Sequence, residues 1–185
     1  SDSTAFITGT TRGIGKQLAL ALAEQGCNVV STGKTTDDDD SELAGSIEQT
    51  AREVRERGPE ALALELDLRD EDRVEAVVEE SIDRFGEVDI VINNASAIQL
   101  ANVADLPADR FDLLTDVNVR GTHLVAHAFA DHLTGLDEAW LLTNAPPVTT
   151  DRSPGKAPYA WSKLGMSFVT LSLAEELAGD DVGCN

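Results

Sequence analysis

The chain has 185 residues, 34 acidic against 14 basic, for a net charge of −20 and a pI near 4.2. Such a polyanion is repelled by nucleic acid and by anionic membranes, which argues against both as partners. An apolar content of 42% supports one globular domain, and aromatics at 4% make its core aliphatic.

Only four of the 14 bases are lysines. Self-repulsion at this charge destabilises a compact chain unless salt screens it, so a halophilic, salt-accumulating cytoplasm is the expected setting. No apolar run approaches the ~18 residues of a membrane span. The first residues enter an apolar strand without the charged-then-apolar pattern of a secretion signal, and a cytoplasmic location is expected.

A strand is predicted over 3–8. It runs into a glycine-rich turn, Gly9-Thr10-Thr11-Arg12-Gly13-Ile14-Gly15, and a helix over 16–25 follows with Leu18, Ala21 and Leu22 at helical spacing. Gly26 ends that helix and a second strand covers 27–32. Strand, glycine turn and helix in this order form the dinucleotide-binding pattern. The glycines let the backbone approach phosphates, and the helix N-terminus offers amide donors. An acid at the end of the second strand usually holds the ribose hydroxyls of NAD. Here that position reads Thr32-Gly33-Lys34-Thr35. Lys34 and Arg12 are instead placed to meet a 2′-phosphate, which favours NADP(H) over NAD(H). The acidic run at 37–40 comes too late for the ribose and reads as a solvated loop.

A helix is expected over 41–58 with Leu43, Ile47, Ala51 and Val54 inward, then a strand over 61–66 ending at Asp67-Leu68. A helix over 70–85 precedes a mostly apolar strand over 88–93, as a parallel sheet buried on both faces requires. A long helix over 107–133 carries Asn118. A fifth strand covers 139–143, a fifth helix 159–178, and a sixth strand begins at 181. Alternation throughout predicts an α/β fold, a Rossmann-type doubly wound parallel sheet in three layers, as one domain over 1–185. Cys27 and Cys184 read as free thiols on separate strands. His123 and His127, four residues apart, read as surface or packing histidines, as does His132. The last helix carries two apolar stripes, Leu164/Phe168/Leu171 and Met166/Val169/Leu173/Leu177. One covers the sheet, and the other is expected to meet a second subunit.

Tyr159 and Lys163 lie one turn apart on one face of the last helix. A fixed positive charge favours the phenolate of a nearby tyrosine, so the pair has the makings of an acid/base site.

Four motifs stand in one order: Thr8-Gly9-x-x-x-Gly13-Ile14-Gly15, Asn93-Asn94-Ala95, Asn118 in Val-Asn-Val-Arg-Gly, and Tyr159-x-x-x-Lys163. Together they resemble the short-chain dehydrogenase/reductase family over the whole chain. Asn93 to Ile98, Lys34-Thr35 and Pro146-Pro147 resemble its hydroxysteroid-dehydrogenase-like branch. The resemblance implies that Gly9, Thr11, Arg12, Gly13, Ile14 and Gly15 cradle the cofactor, Asp67 and Leu68 border the adenine, and Asn93 and Ala95 line the cofactor floor. It implies that Tyr159 passes the proton, that Lys163 activates Tyr159 and binds the nicotinamide ribose, and that Asn118 holds a water leading from Lys163 to solvent. The implied substrate is a small carbonyl or alcohol, and the implied assembly a homo-oligomer (dimer or tetramer) through the long helices.

The chain departs from the family in two places. The serine expected just past the fifth strand is replaced by Ala145, with Asn144, Thr143 and, less well placed, Ser153 as substitutes. The family also continues beyond the sixth strand with a substrate-covering segment, so the C-terminal part is expected to be missing. The alternative to an oxidoreductase is therefore a dinucleotide-binding protein with weak or no turnover. A mainly structural, oligomer-forming relative is a third reading.

The charge yields a first prediction. The unfolding midpoint should rise steadily from ~10 mM to molar salt as repulsion is screened; full stability at the low end would count against a halophilic setting.

Overall fold

A computed structural model describes residues 3–37, 44–146 and 154–185. Its elements in chain order are β1 (Thr4–Thr8), α1 (Gly13–Glu24), β2 (Asn28–Gly33), α2 (Ile47–Arg55), β3 (Ala61–Glu65), α3 (Glu71–Phe85) and β4 (Ile90–Asn93). Then come α4 (Ala108–Leu114), a π-helical segment (Thr115–Arg120), α5 (Gly121–Thr134), β5 (Ala139–Thr143), α6 (Ala157–Glu176) and β6 (Val182–Cys184). The strands form one parallel sheet in the order β3-β2-β1-β4-β5-β6. The predicted doubly wound fold is therefore present.

Successive strand residues face opposite sides of the sheet, which is why the strands must be apolar throughout. Phe6, Val91 and Leu141 meet α3, α5 and α6 through Val77, Val125, Phe129 and Leu173. Ala5, Ile7, Val29 and Ile92 meet α1 and α2 on the other side through Ala19, Leu20, Ala23 and Val54. Phe6 and Phe129 pack edge to face, ring centres 4.9 Å apart, and supply rare aromatic bulk in an otherwise aliphatic core.

Two expected helices differ in detail. The second begins at Ile47 rather than at residue 41. Gly45 adopts φ +107°, a conformation that breaks a helix, and a Cβ there would lie 2.3 Å from the Thr11 carbonyl oxygen. Ser46 then caps the helix by accepting from the Gln49 amide, 2.9 Å. Leu43 lies outside the described residues, as do Asp38 to Asp40. Asp37, at the edge of that acidic run, is not simply solvated: its carboxylate accepts from Arg52 (2.6 Å) and bonds the Ser46 hydroxyl. The long fourth helix is continuous, but its middle turn is π-helical and carries the buried Asn118.

Cys27 and Cys184 are both free. The ring Nε2 of His132 accepts from the Val88 amide (3.1 Å) and so anchors the approach to β4. His123 and His127 are exposed and stacked, ring centres 6.0 Å apart, and no group of three metal-ligating side chains occurs among the described residues. No helix among them is long and apolar enough to cross a membrane.

The strand order reverses between β1 and β4. In such sheets the crevice outside the C-terminal strand ends at that point is where ligands bind.

Candidate active site at the sheet switch point

The turn after β1 is shaped by close backbone contact. Gly9 has φ +75° and sits so near Ala95 that a Cβ would lie 2.9 Å from the Ala95 Cα. A Cβ on Gly15 would lie 2.1 Å from the Gly9 carbonyl oxygen. Both positions require glycine, and α1 therefore starts immediately behind the turn. Its first turn holds no acid and no side chain caps it, whereas α2 and α3 are capped by Ser46 and Asp70. The free amides and positive end of α1 are left to an anion. Ile14, on the turn, is exposed.

Beside the turn, a cleft of about 480 Å³ is lined by Gly9, Thr11, Gly33, Lys34, Asp67, Leu68 and Ala95, among others. The Lys34 ammonium pairs with Asp67 (2.9 Å), whose carboxylate also takes Arg69 (2.5 Å). Arg69 first and Lys34 second hold the Asp67 carboxyl well below the usual carboxylate range, against the opposing effect of burial. Lys34 thus reaches the cleft as half of an ion pair. Arg12 donates through Nη2 to the Thr35 hydroxyl (3.3 Å), while its Nη1 is buried with no partner. Asn93 does not line this cleft: it is buried, and neither its amide oxygen nor its amide nitrogen has a partner.

Asn94 turns out to matter most. Its Nδ2 donates to the Thr8 and Gly9 carbonyls (2.9 and 3.0 Å), and its Oδ1 accepts from Asn144 Nδ2 (3.0 Å). The Asn144 amide also donates to the Asn93 carbonyl, 2.9 Å. The motif reading assigned Asn94 no contact of its own; the doubled asparagine was the signal.

Lys163 is almost fully enclosed, at 4% exposure. Its Nζ donates to the Asn144 carbonyl (2.7 Å) and to the Met166 sulfur (3.2 Å). Burial pushes its pKa down to about 8. Tyr159 lies one turn earlier, and no hydrogen bond to its hydroxyl is found among the described residues. Asn118 accepts from the Ala97 amide (2.7 Å) and donates to the Ala97 carbonyl (3.0 Å) and the Ser162 hydroxyl (2.8 Å). Ser162 in turn donates to the Tyr159 carbonyl, 2.8 Å. The Asn118 side chain thereby ties the π-helical segment to the loop after β4 and to the start of α6.

Of the candidates for the missing serine, Thr143 and Asn144 each already make a side-chain hydrogen bond. The Thr143 hydroxyl bonds the Thr170 hydroxyl (2.6 Å), and the Asn144 amide nitrogen is held by Asn94. Ser153 lies outside the described residues.

A profile of the short chain dehydrogenases matches residues 3–185. The chain belongs to the short-chain dehydrogenase family. Its relatives include human hydroxysteroid dehydrogenase-like protein 2, 41% identical over 179 residues that make up 96% of this chain and 43% of that one. The chain thus spans less than half the length of that curated relative. A solved protein from Xanthomonas campestris matches with a TM-score of 0.94 at 41% identity, covering 100% of this chain and 70% of its own. A metagenomic short-chain oxidoreductase solved with NADP matches with a TM-score of 0.89 at 26% identity, covering 98% of this chain and 79% of its own.

In this short-chain dehydrogenase the buried Lys163 makes a measurable contribution to pH dependence. Its folded pKa, about 8, lies below its ordinary value of 10.5. Between those values the unfolded chain holds a proton that the folded chain has released, so stability rises with pH. Relative to Lys163→Met, the wild type should gain on the order of 3 kcal/mol between pH 8 and 10.5, read from urea midpoints. A pH-independent difference would show that the ammonium is not desolvated.

Proposed function

We propose that the chain is an NADP(H)-dependent oxidoreductase that moves a hydride between the nicotinamide and a ketone/alcohol pair. The observation that carries this is the placement of Tyr159, whose hydroxyl has no hydrogen bond among the described residues, one turn before a buried Lys163 held by Asn144.

The dinucleotide fits the residues present. The glycine cradle and the uncapped α1 suit a pyrophosphate. Arg12, whose Nη2 reaches the Thr35 hydroxyl and whose buried Nη1 has no partner among the described residues, suits a further phosphate on the ribose, which supports NADP(H) over NAD(H). A relative solved with NADP agrees with a nicotinamide dinucleotide. When bound, the cofactor supplies or accepts the hydride at the substrate carbon. In the reducing direction Tyr159 donates its hydroxyl proton to the substrate oxygen, and in the oxidising direction it takes that proton back. Lys163 keeps a positive charge near the phenol. The Asn118 side chain bonds Ala97 and Ser162.

Ala145 favours the second reading, a dinucleotide binder with weak turnover. It removes a donor to the developing oxyanion, a loss worth on the order of 10²–10³ in rate, and both neighbouring substitutes are engaged elsewhere. Fluorescence titration should show NADPH binding more tightly than NADH. Turnover of a carbonyl panel should be abolished by Tyr159→Phe and raised by Ala145→Ser. Binding without Tyr159-dependent turnover selects the second reading, and failure to bind either cofactor defeats both.

The outer face of α6 supports a homo-oligomer. Trp161, Leu164, Phe168 and Leu171 are exposed there, and Phe111 of α4 stacks on Trp161 at 5.2 Å between ring centres. Monomeric chains show few such contiguous apolar patches. Size-exclusion chromatography at high salt should give a dimer or larger assembly, and Phe168→Glu should shift it toward monomer.

A further inference from the structure

Met166 is the only methionine in the sequence and is wholly buried. It lies on the stripe of α6 that the structure buries, with Leu173, while Leu164, Phe168 and Leu171 are exposed. The structure puts its sulfur 3.2 Å from the ammonium nitrogen of Lys163, three residues before it on the same helix. We propose that Met166 is a positioning residue for Lys163, its thioether fixing the direction of the ammonium together with the Asn144 carbonyl. This deepens the proposed Tyr159/Lys163 chemistry and rests on it.

An ammonium carries three N–H donors and no acceptor. In Lys163 one donor goes to the Asn144 carbonyl at 2.7 Å and a second to the sulfur. The third is left for a bound ligand. Two anchors fix the direction of that third bond, whereas one anchor leaves the head free to rotate. A thioether is a weak acceptor, but it is polarisable and fills the core as well as a hydrocarbon does. At this position it serves the packing of α6 and the solvation of a buried charge at once. Hydrocarbon in its place would leave a second donor unsatisfied in a site that water scarcely reaches.

Among the described residues no carboxylate pairs with the Lys163 ammonium. Ionisable side chains stand on the elements packed against it: Asp109, Arg110 and Asp112 on α4, Asp116 and Arg120 on the π-helical segment, the histidines and Asp131 on α5, and Cys184 on β6. None of them acts on Lys163, whose proton affinity is set by burial. Tyr159 is the titratable neighbour on its own helix.

The test removes the sulfur and keeps the volume. Met166→Leu is a volume-conserving change. Norleucine incorporation replaces the sulfur by a methylene at this one methionine of the sequence. The readout is the pH titration of lysine side chains labelled with ¹³C at Cε, of which the chain has four. It requires neither cofactor nor substrate, so its outcome is independent of whether the chain turns over a carbonyl. In the wild type the Lys163 signal, assigned by its loss in Lys163→Met, titrates near pH 8. In the Leu and norleucine forms its midpoint should fall by about half a unit or more. Where turnover is measurable, kcat should fall with KM for the cofactor little changed, and selenomethionine should restore it. An unchanged midpoint in a folded norleucine protein overturns the proposal, whatever Met166→Leu does to folding.

Discussion

The side-chain amide of Asn94 holds the two halves of the site in one frame. On one side it donates to the carbonyls of Thr8 and Gly9, where β1 passes into the phosphate cradle. On the other it accepts from Asn144, whose carbonyl receives the Lys163 ammonium. The glycine turn and the helix that carries Lys163 are separated by most of the chain, yet one primary amide with two donors and one acceptor spans them. Such a network is stiff only when every member is satisfied. Here Asn94 has all its polar atoms engaged, while Asn93, its neighbour, has none of its side-chain atoms paired. Identical residues in adjacent positions thus have opposite fates, because successive side chains leaving a strand face opposite ways.

The same economy governs the basic residues. With 34 acids against 14 bases, each cation is valuable, and several are placed where they order something. Lys16 joins α1 to Glu53 of α2, Arg120 joins the π-helical segment to Glu71 of α3, and Lys34 and Arg69 share Asp67 at the cleft. Exposed pairs of this kind contribute little stability one at a time. Their value here is positional. Arg12 differs from these: its buried Nη1 has no partner among the described residues.

Ala145 weakens one arm of the site without disturbing the others. The hydroxyls of Thr143 and Thr170 satisfy each other, and Asn144 is committed to Asn94. Freeing the Thr143 hydroxyl would break its contact with Thr170, whereas Asn144 Nδ2 commits one of its two N–H donors to Asn94. Lys163 is braced by the Asn144 carbonyl, while Ala145 offers no side-chain donor of its own.

The alternation of apolar strands with amphipathic helices was enough to locate the six strands and the parallel sheet, because burial on both faces leaves a parallel strand little compositional freedom. The glycines at 9, 13 and 15, the asparagine pair and Tyr159 with Lys163 were legible for a similar reason: backbone approach and one-turn spacing restrict the residue types that serve. Other features depend on contacts between residues distant in the chain. The π-helical turn around Asn118 has the same short-range apolar pattern as an α-helix, so spacing does not reveal it. The start of α2 was misplaced because Gly45 bends against Thr11, more than thirty positions away. Lys34 was read only as placed to meet a 2′-phosphate, and its ion-pair partner Asp67 arrives only when β3 pairs with β2. Met166 has core spacing whether its sulfur meets hydrocarbon or an ammonium, and the fold alone sets it against Lys163. Periodicity records which face of an element is buried; which atoms meet on that face follows from how the layers close.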